Sequence, residues 1–150
     1  MSLVFAQWSA EYYTGNTKVD EEHQQLFHIV NKLHDAMKKG HGKDILKQTL
    51  DELIKYTIQH FTNEEFFMLS KRYPRYQEHK KIHQDLTNKV KDLRNKFVSG
   101  DVNINIELLH FLNQWLAHHI KGEDFKLFNY IKEQEQKLEV ENSLLTLIDL

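Results

Sequence analysis

Residues 56–68 read YTIQHFTNEEFFM, and they are interpreted as the last turns of a long amphipathic helix. His60 and Glu64 are four residues apart, so they lie one turn apart on the same helix face. That face is also the apolar one, because its helical spacing includes Leu46, Leu50, Leu53, Thr57, Phe67 and Met68. A carboxylate directed into a core is costly unless a cation meets it. A metal ion would meet it, although for this pair alone a hydrogen bond at an exposed helix end is the simpler interpretation.

The composition is that of an ordinary globular domain. The 150 residues are enough for a single core, and 40% of them are hydrophobic and 28% charged. The formal net charge of −2 provides no basic surface, which argues against a nucleic-acid partner. The absence of cysteine excludes disulfides, cysteine-ligated iron–sulfur clusters and thioether-attached haem. The unusual feature is the ten histidines, and their positions carry the functional argument.

The sequence gives no indication of export or membrane insertion. Residues 1–13 lack a basic start followed by an apolar run, so no secretory signal is expected there. No apolar stretch is long enough to cross a bilayer. We therefore expect a cytoplasmic location and no membrane span.

Four segments have helical periodicity, and no segment alternates like a strand. The first is expected to begin at Asp20, as the N-cap, and to end near Lys39 before the glycines at 40 and 42. The other three are expected at about 43–71, between Pro74 and Gly100, and at about 103–120. Short connections between long helices make sequential neighbours antiparallel. The sequence therefore predicts an all-α fold, an up-down-up-down antiparallel four-helix bundle.

We expect residues 1–150 to form a single domain with three parts. Residues 1–19 would be an N-terminal arm packed by its aromatic side chains, residues 20–121 the four-helix core, and residues 122–150 a C-terminal helix and tail. Gly122 is expected to separate the fourth helix from a further helix at 124–138. The tail carries Val140, Leu144, Leu145, Leu147, Ile148 and Leu150. It is interpreted as a packed end, a self-association contact or a docking helix for a partner protein.

Six polar residues fall on the apolar faces of these helices: His23, His60, Glu64, His79, His83 and His119. They lie near the starts of the odd-numbered helices and the ends of the even-numbered ones. In an antiparallel bundle those positions meet at one end, so the side chains are expected to converge on one level of the core. His118 competes with His119 for the inward position, and the stripe of apolar residues before them favours His119.

Asp124 needs a separate argument. Five residues after His119 is roughly 140° around an ideal helix, so the two side chains would not share a face. A break at Gly122 is expected to turn Asp124 inward. The full set then contains five imidazoles and two carboxylates, which suit iron, zinc or manganese. Seven ligands are too many for a tetrahedral zinc site, so two ions fit better.

The open coordination of such a pair suggests a ligand-binding site. If Glu64 and Asp124 each bridge both ions and a hydroxide forms a third bridge, two octahedra have one position left open. That position suits a small exogenous ligand.

The ordered motifs resemble those of the hemerythrin family, in particular its bacterial single-domain members. They are VDEEHQ at 19–24, His60-Phe61-x-x-Glu64-Glu65, His79-x-x-x-His83, and Trp115-Leu116-x-x-His119-Ile120-x-x-x-Asp124. Trp8 is similar to the opening of the family, and the resemblance covers about residues 8–132.

The resemblance implies a non-haem di-iron centre that binds dioxygen reversibly, for storage, delivery or sensing. It implies that one iron is bound by His79, His83 and His119, and the other by His23 and His60. Glu64 and Asp124 would bridge them together with a hydroxo or oxo group. Dioxygen would bind at the iron with two histidines, beside an apolar wall formed by Leu26, Phe61, Trp115, Leu116 and Ile120.

Two other functions stay open at this point. One is a di-iron enzyme acting on dioxygen, peroxide or nitric oxide, although oxidases of the ferritin-like type are richer in carboxylate ligands. The other is an oxygen- or iron-responsive signalling module that uses the C-terminal tail. We expect no catalytic residue and, apart from weak oxidase or peroxide-reducing activity, no enzymatic function.

Overall fold

The computed structural model describes residues 5–40, 42–100 and 106–148, and all regular structure in them is helical. The helices are α1 (Thr17–Lys38), α2 (Lys43–Ser70), α3 (Tyr76–Ser99), α4 (Ile106–His119) and α5 (Phe125–Ile148). α1 packs against α2 and α4, and α2 packs against α3. The predicted all-α antiparallel four-helix bundle is confirmed, with α5 continuing the direction of α4.

Two apolar clusters lie one above the other along the bundle. The larger one fills the end where α1 and α3 finish, and a smaller one lies where α1 begins and α2 ends. The buried members of the larger cluster are Ala6, Leu26, Phe27, Ile29, Val30, Leu33, Leu50, Leu53, Val90, Phe97, Leu109, Leu112, Leu116 and Ile120. Those of the smaller cluster are Val19, Met68, Tyr73, Leu127, Phe128 and Ile131. Burial of each Leu- or Phe-sized side chain contributes about 1.5–3 kcal/mol, so both clusters hold the helices together.

The N-cap of α1 lies four residues before the predicted one. Its N-cap is Asn16, whose side chain accepts a hydrogen bond from the backbone N–H of Val19 at 3.1 Å. The prediction that Asp20 is the N-cap is wrong. Asp20 lies buried in the first turn, and its carboxylate accepts hydrogen bonds from Thr14 N and Oγ1, both at 2.8 Å. It also accepts one from Gly15 N at 3.3 Å, so it binds the loop before the helix rather than the helix end.

Residues 5–13 of the arm lie against α1. Ala6 and Asn31 exchange two hydrogen bonds, with Ala6 N donating at 2.6 Å and Asn31 Nδ2 donating at 2.8 Å. The Trp8 ring packs against Phe27 and Tyr12, with ring centroids 5.5 and 5.4 Å apart. These contacts cover the middle of α1 from the outside.

The ends of α1 and α3 use glycines at positive φ. Gly40 has φ +68° and follows the C-cap of α1, and Gly100 has φ +86° and is the C-cap of α3. L-residues rarely adopt this conformation, so glycine is the residue that lets each helix stop there. The predicted stops at both glycines are confirmed. His41, Asp101 and the predicted start of the fourth helix at 103 lie outside the described residues.

The predicted break at Gly122 is wrong. α4 passes into α5 through a π-helical turn, Ile120–Asp124, and the helix continues to Ile148. A π turn holds one additional residue without interrupting the helix. The predicted core boundary at residue 121 therefore falls inside a continuous helix.

The part of α5 after Ile131 stands clear of the bundle, and residues 132–148 are all exposed. Six large apolar side chains lie on it: Leu138, Val140, Leu144, Leu145, Leu147 and Ile148. None of the helices formed by the described residues combines the length and hydropathy needed to cross a bilayer.

Candidate metal centre

All seven predicted metal ligands are buried at one level, between the two apolar clusters. None of them is more than 6% exposed. Their ligand atoms form two groups in which all atoms lie within 4.8 Å of one another: Glu64, His79, His83, His119 and Asp124, and His23, His60, Glu64 and Asp124. The structure thus brings together every residue that the sequence selected, and the two carboxylates belong to both groups.

Helix register explains most of this convergence. His60 and Glu64 lie one turn apart on α2, and His79 and His83 one turn apart on α3. Because α2 and α3 are antiparallel, the last turns of one lie beside the first turns of the other. His23 reaches the same level from the start of α1.

The π turn places the last ligand pair. In a π turn the backbone closes from residue i to residue i+5, so side chains five apart face the same way. His119 Nε2 lies 3.2 Å from Asp124 Oδ1 across this turn. His118 is exposed. Sequence reasoning selected both residues but assigned the wrong local structure, and the signal it did not use was the five-residue spacing itself.

Each carboxylate directs its two oxygens to different histidine groups. Glu64 Oε1 lies 2.6 Å from His79 Nε2 and 3.3 Å from His83 Nε2, whereas Glu64 Oε2 lies 3.3 Å from His60 Nε2. One oxygen therefore faces the three-histidine group of α3 and α4, and the other faces the two-histidine group of α1 and α2.

The two oxygens of Asp124 also face different histidine groups. Its Oδ1 atom lies 3.2 Å from His79 Nε2 and from His119 Nε2, and its Oδ2 atom lies 2.8 Å from His23 Nε2. Two carboxylates that both span the same two sets of imidazoles form a pair of adjacent coordination sites.

The polar atoms facing the centre are unsatisfied by the protein. All four carboxylate oxygens and the Nε2 atoms of the five histidines are buried without a hydrogen-bond partner among the described residues. Buried polar atoms without partners are rare in native proteins because each one costs free energy. Lone pairs converging from imidazoles and carboxylates, with no thiolate, fit iron, zinc or manganese ions. The residues present therefore fit two such cations.

The histidines carry opposite pKa shifts. Burial alone would lower the pKa of His60, but the Glu22 and Glu64 carboxylates raise it to about 10. Burial is likewise outweighed at His79, whose pKa Asp124 and Glu64 raise to about 9. His83 has its pKa lowered to about 4, chiefly by burial. Without a metal ion, protons on His60 and His79 would therefore balance the carboxylates.

Both carboxylates are held in the ionised form. Burial and the Asp124 charge would raise the pKa of Glu64, but His60, His79 and His83 outweigh them and lower it to about 2. Burial would also raise the pKa of Asp124, which its histidine neighbours hold well below the usual range. Two buried anions at one level form a strong site for cations.

Comparison with known proteins identifies the family. The model of the hemerythrin HHE cation binding domain matches residues 14–131. The chain belongs to the hemerythrin family. It is 38% identical to the bacteriohemerythrin of Methylococcus capsulatus over 123 residues, which cover 81% of this chain and 93% of that protein. The resemblance inferred from the motifs is confirmed.

More distant hemerythrins agree in sequence and in fold. The myohemerythrin of Theromyzon tessulatum is 34% identical over 120 residues, covering 80% of this chain and 88% of that protein. A crystal structure of wild-type hemerythrin superposes with a TM-score of 0.76 at 34% identity, and covers 81% of this chain and 93% of that chain.

Aromatic rings of the protein pack on its three-histidine group. Phe61 stacks on His83 with ring centroids 3.8 Å apart and an interplanar angle of 4°. Trp115 stacks on His119 at 6.4 Å and 16°. These rings restrict the imidazoles to their observed orientations. The other predicted wall residues, Leu26, Leu116 and Ile120, are buried in the larger apolar cluster next to the centre.

Sequence reasoning missed two acidic residues at the outer edge of the centre. Glu22 Oε2 accepts a hydrogen bond from Nδ1 of His60 at 3.4 Å. Glu65 Oε2 lies 3.6 Å from Nδ1 of His83, beyond hydrogen-bond distance. The contact from Glu22 joins two helices, so periodicity within either helix gives no signal for it.

Proposed function

We propose that this protein binds dioxygen reversibly at a di-iron centre, for oxygen storage, delivery or sensing. The observation that carries the proposal is the unequal division of histidines around two shared carboxylates. Three imidazoles serve one group and two serve the other. An ion with fewer protein ligands keeps a coordination position for a small molecule.

His79, His83 and His119 would hold one iron, and His23 and His60 the other. Glu64 and Asp124 would bridge the two ions, together with a hydroxo or oxo group. The split of each carboxylate between the histidine groups supports this assignment. The iron pair, when bound, supplies the electrons that reversible binding of dioxygen requires.

The protein's own contribution is to keep the site dry and its ligands fixed. The larger apolar cluster lies on one side of the centre and the smaller cluster on the other. Leu26, Leu116 and Ile120 form the apolar part of the proposed dioxygen pocket, with Phe61 and Trp115 against the histidines. Excluding water from such a site suppresses side reactions and proton leakage, which favours release of unchanged dioxygen.

The test is an optical spectrum of anaerobically prepared ferrous protein, taken through an oxygenation and deoxygenation cycle with iron quantified alongside. We expect two irons per chain and a visible band that appears with oxygen and disappears when oxygen is removed. Rapid irreversible oxidation, or continued consumption of oxygen, peroxide or nitric oxide, would favour a di-iron enzyme instead. Far fewer than two irons per chain, with no band, would contradict the proposal.

A second candidate, an oxygen-responsive signalling module, is favoured by the exposed apolar face of α5. The six large apolar side chains between Leu138 and Ile148 are 54–77% exposed. Such a face suits a protein partner or self-association. Truncation after Lys137 should then abolish the association and leave oxygen affinity nearly unchanged. If truncation changes neither association nor partner binding, the tail has no signalling role.

A further inference from the structure

His60 differs from the other buried histidines in the contact made by its outer nitrogen. Its Nδ1 atom lies 3.4 Å from Glu22 Oε2 in a hydrogen bond. A carboxylate can only accept, so the Nδ1–H group of His60 must be the donor. In the described part of the chain, Nδ1 is buried without a hydrogen-bond partner in the other four: His23, His79, His83 and His119. This outer contact is therefore specific to the two-histidine group.

Glu22 is itself held in position. Asn63 Nδ2 donates to the same oxygen of Glu22 at 3.3 Å. Glu22 belongs to α1 and Asn63 to α2, three residues beyond His60, so the carboxylate joins the two helices at the edge of the centre. The Glu22 side chain is only 12% exposed. One oxygen of Glu22 is thus held by two donors of α2.

The hydrogen bond decides which nitrogen of His60 is free for a metal ion. An imidazole that donates from Nδ1 has its lone pair on Nε2. That atom lies 3.3 Å from Glu64 Oε2, the oxygen that faces the two-histidine group. A carboxylate that accepts a hydrogen bond from the outer nitrogen fixes the ring orientation and makes the inner nitrogen a stronger metal ligand.

We propose that Glu22 is a positioning residue that holds His60 for the metal ion of the two-histidine group. It secures the ion with fewer imidazoles, the one at which the proposed function places dioxygen. Among the described residues, the three-histidine group has no equivalent, because Glu65 lies 3.6 Å from His83 and makes no hydrogen bond to it. The inference rests on the proposed metal centre but concerns retention of a metal ion, which is measured without oxygen.

The experiment uses full-length protein loaded with Co²⁺ and challenged with excess chelator. Release of each ion is followed through the visible absorption of Co²⁺. In the Glu22→Ala variant one ion should leave about 10- to 100-fold faster than in wild type, the usual effect of removing an outer partner of a metal-bound histidine. The other ion should leave at the wild-type rate. Glu22→Gln should recover most of the loss, because the amide oxygen still accepts from Nδ1–H.

Two variants serve as matched controls. Glu21→Ala removes the adjacent acid, which is exposed and lies outside both ligand groups. Glu65→Ala removes the acid beside the three-histidine group. Both should release the two ions at wild-type rates. If Glu21→Ala or Glu65→Ala has the same effect as Glu22→Ala, the effect is one of general charge and the proposal is overturned.

Rescue by formate separates a positioning role from a structural one. Glu22 lines a surface cleft of about 570 Å³ whose other walls include Lys18, Gln25 and Tyr56. Formate can enter through this cleft and replace the missing carboxylate in Glu22→Ala, which should slow release of the fast ion while leaving wild type unchanged. Three results would each overturn the proposal: Glu22→Ala releases both ions equally faster, Glu22→Ala releases neither ion faster, or wild type binds fewer than two ions. If oxygen oxidises the protein irreversibly but Glu22→Ala still releases only one of its two ions faster, only the proposed function is contradicted.

Discussion

Replacing Leu116 with alanine should admit water to the centre and accelerate its oxidation. Leu116 is 1% exposed and lies three residues before His119, one turn along the same face of α4. The substitution removes three carbon atoms from a position next to buried carboxylates and imidazoles. A water molecule needs polar partners and a share of liquid volume of about 30 Å³. The unsatisfied atoms of His119 and Asp124 supply the partners.

The matched control is Leu109→Ala. Leu109 is 0% exposed, belongs to the same apolar cluster and lies on the same helix, seven residues before Leu116. That separation is about 10 Å along α4. Both substitutions should reduce the free energy of unfolding by about 2–5 kcal/mol, as is usual for a buried leucine. Because Leu109 belongs to the apolar cluster, the cavity left at 109 should be apolar, and apolar cavities stay dry.

The assay follows loss of the visible band of the oxygenated protein. It is carried out well below the melting temperatures of wild type, Leu116→Ala and Leu109→Ala. We expect the rate of oxidation in Leu116→Ala to rise by about tenfold or more, equivalent to a barrier lower by about 1.4 kcal/mol, and the rate in Leu109→Ala to stay near that of wild type. Equal acceleration in both variants would attribute the effect to reduced stability. An unchanged rate in Leu116→Ala would remove Leu116 from the proposed pocket.

Three further predictions follow from the site and the helix ends. In chelator-treated protein, His60 and His79 have pKa values raised to about 10 and 9, so their contribution to stability is complete below about pH 6.5 and is lost as pH rises through 9 and 10. Melting temperatures measured from pH 7 to 10 should therefore fall, and a flat profile would contradict the assigned shifts. Gly122→Ala should stabilise the protein by about 0.5–1 kcal/mol in urea unfolding, since a Cβ there meets nothing within 4 Å; loss of iron would show that glycine is needed in the π turn. Asp20→Ala should cost about 1–3 kcal/mol because it leaves buried donors of Thr14 unpaired, and a change below 0.5 kcal/mol would show that this loop contact is dispensable.

The candidate site was predictable because helical spacing and the antiparallel arrangement of the helices place the same residues together. Polar residues on apolar helix faces, at His23, His60 and His79, become a cluster once the helices are made antiparallel. The position of each side chain along its helix is known from the sequence. The height of the site along the bundle therefore follows without knowledge of side-chain conformations. The same reasoning predicted the ends of α1 and α3, since Gly40 and Gly100 have a conformation that other residues avoid.

The parts that sequence missed depend on competition between local alternatives. Asp20 has the side chain of a good N-cap, but Asn16 takes that role and Asp20 binds the preceding loop. A glycine at 122 is compatible with a break or with a helix, and packing on both sides of the π turn selects the helix. The contact between Glu22 and His60 depends on how α1 and α2 are rotated against each other, which neither helix encodes alone.

The arrangement of the core explains how a metal-free centre could be tolerated during folding. Seven buried polar residues at one level work against folding, because their facing atoms lack hydrogen-bond partners in the part of the chain that the structure describes. Apolar clusters lie on both sides of that level, and the larger one supplies fourteen buried side chains. These clusters can therefore set the helix register before any ion binds, and ion binding then adds to the stability of the folded state. The apolar residues position the ligands, and the ions satisfy what the ligands leave unpaired.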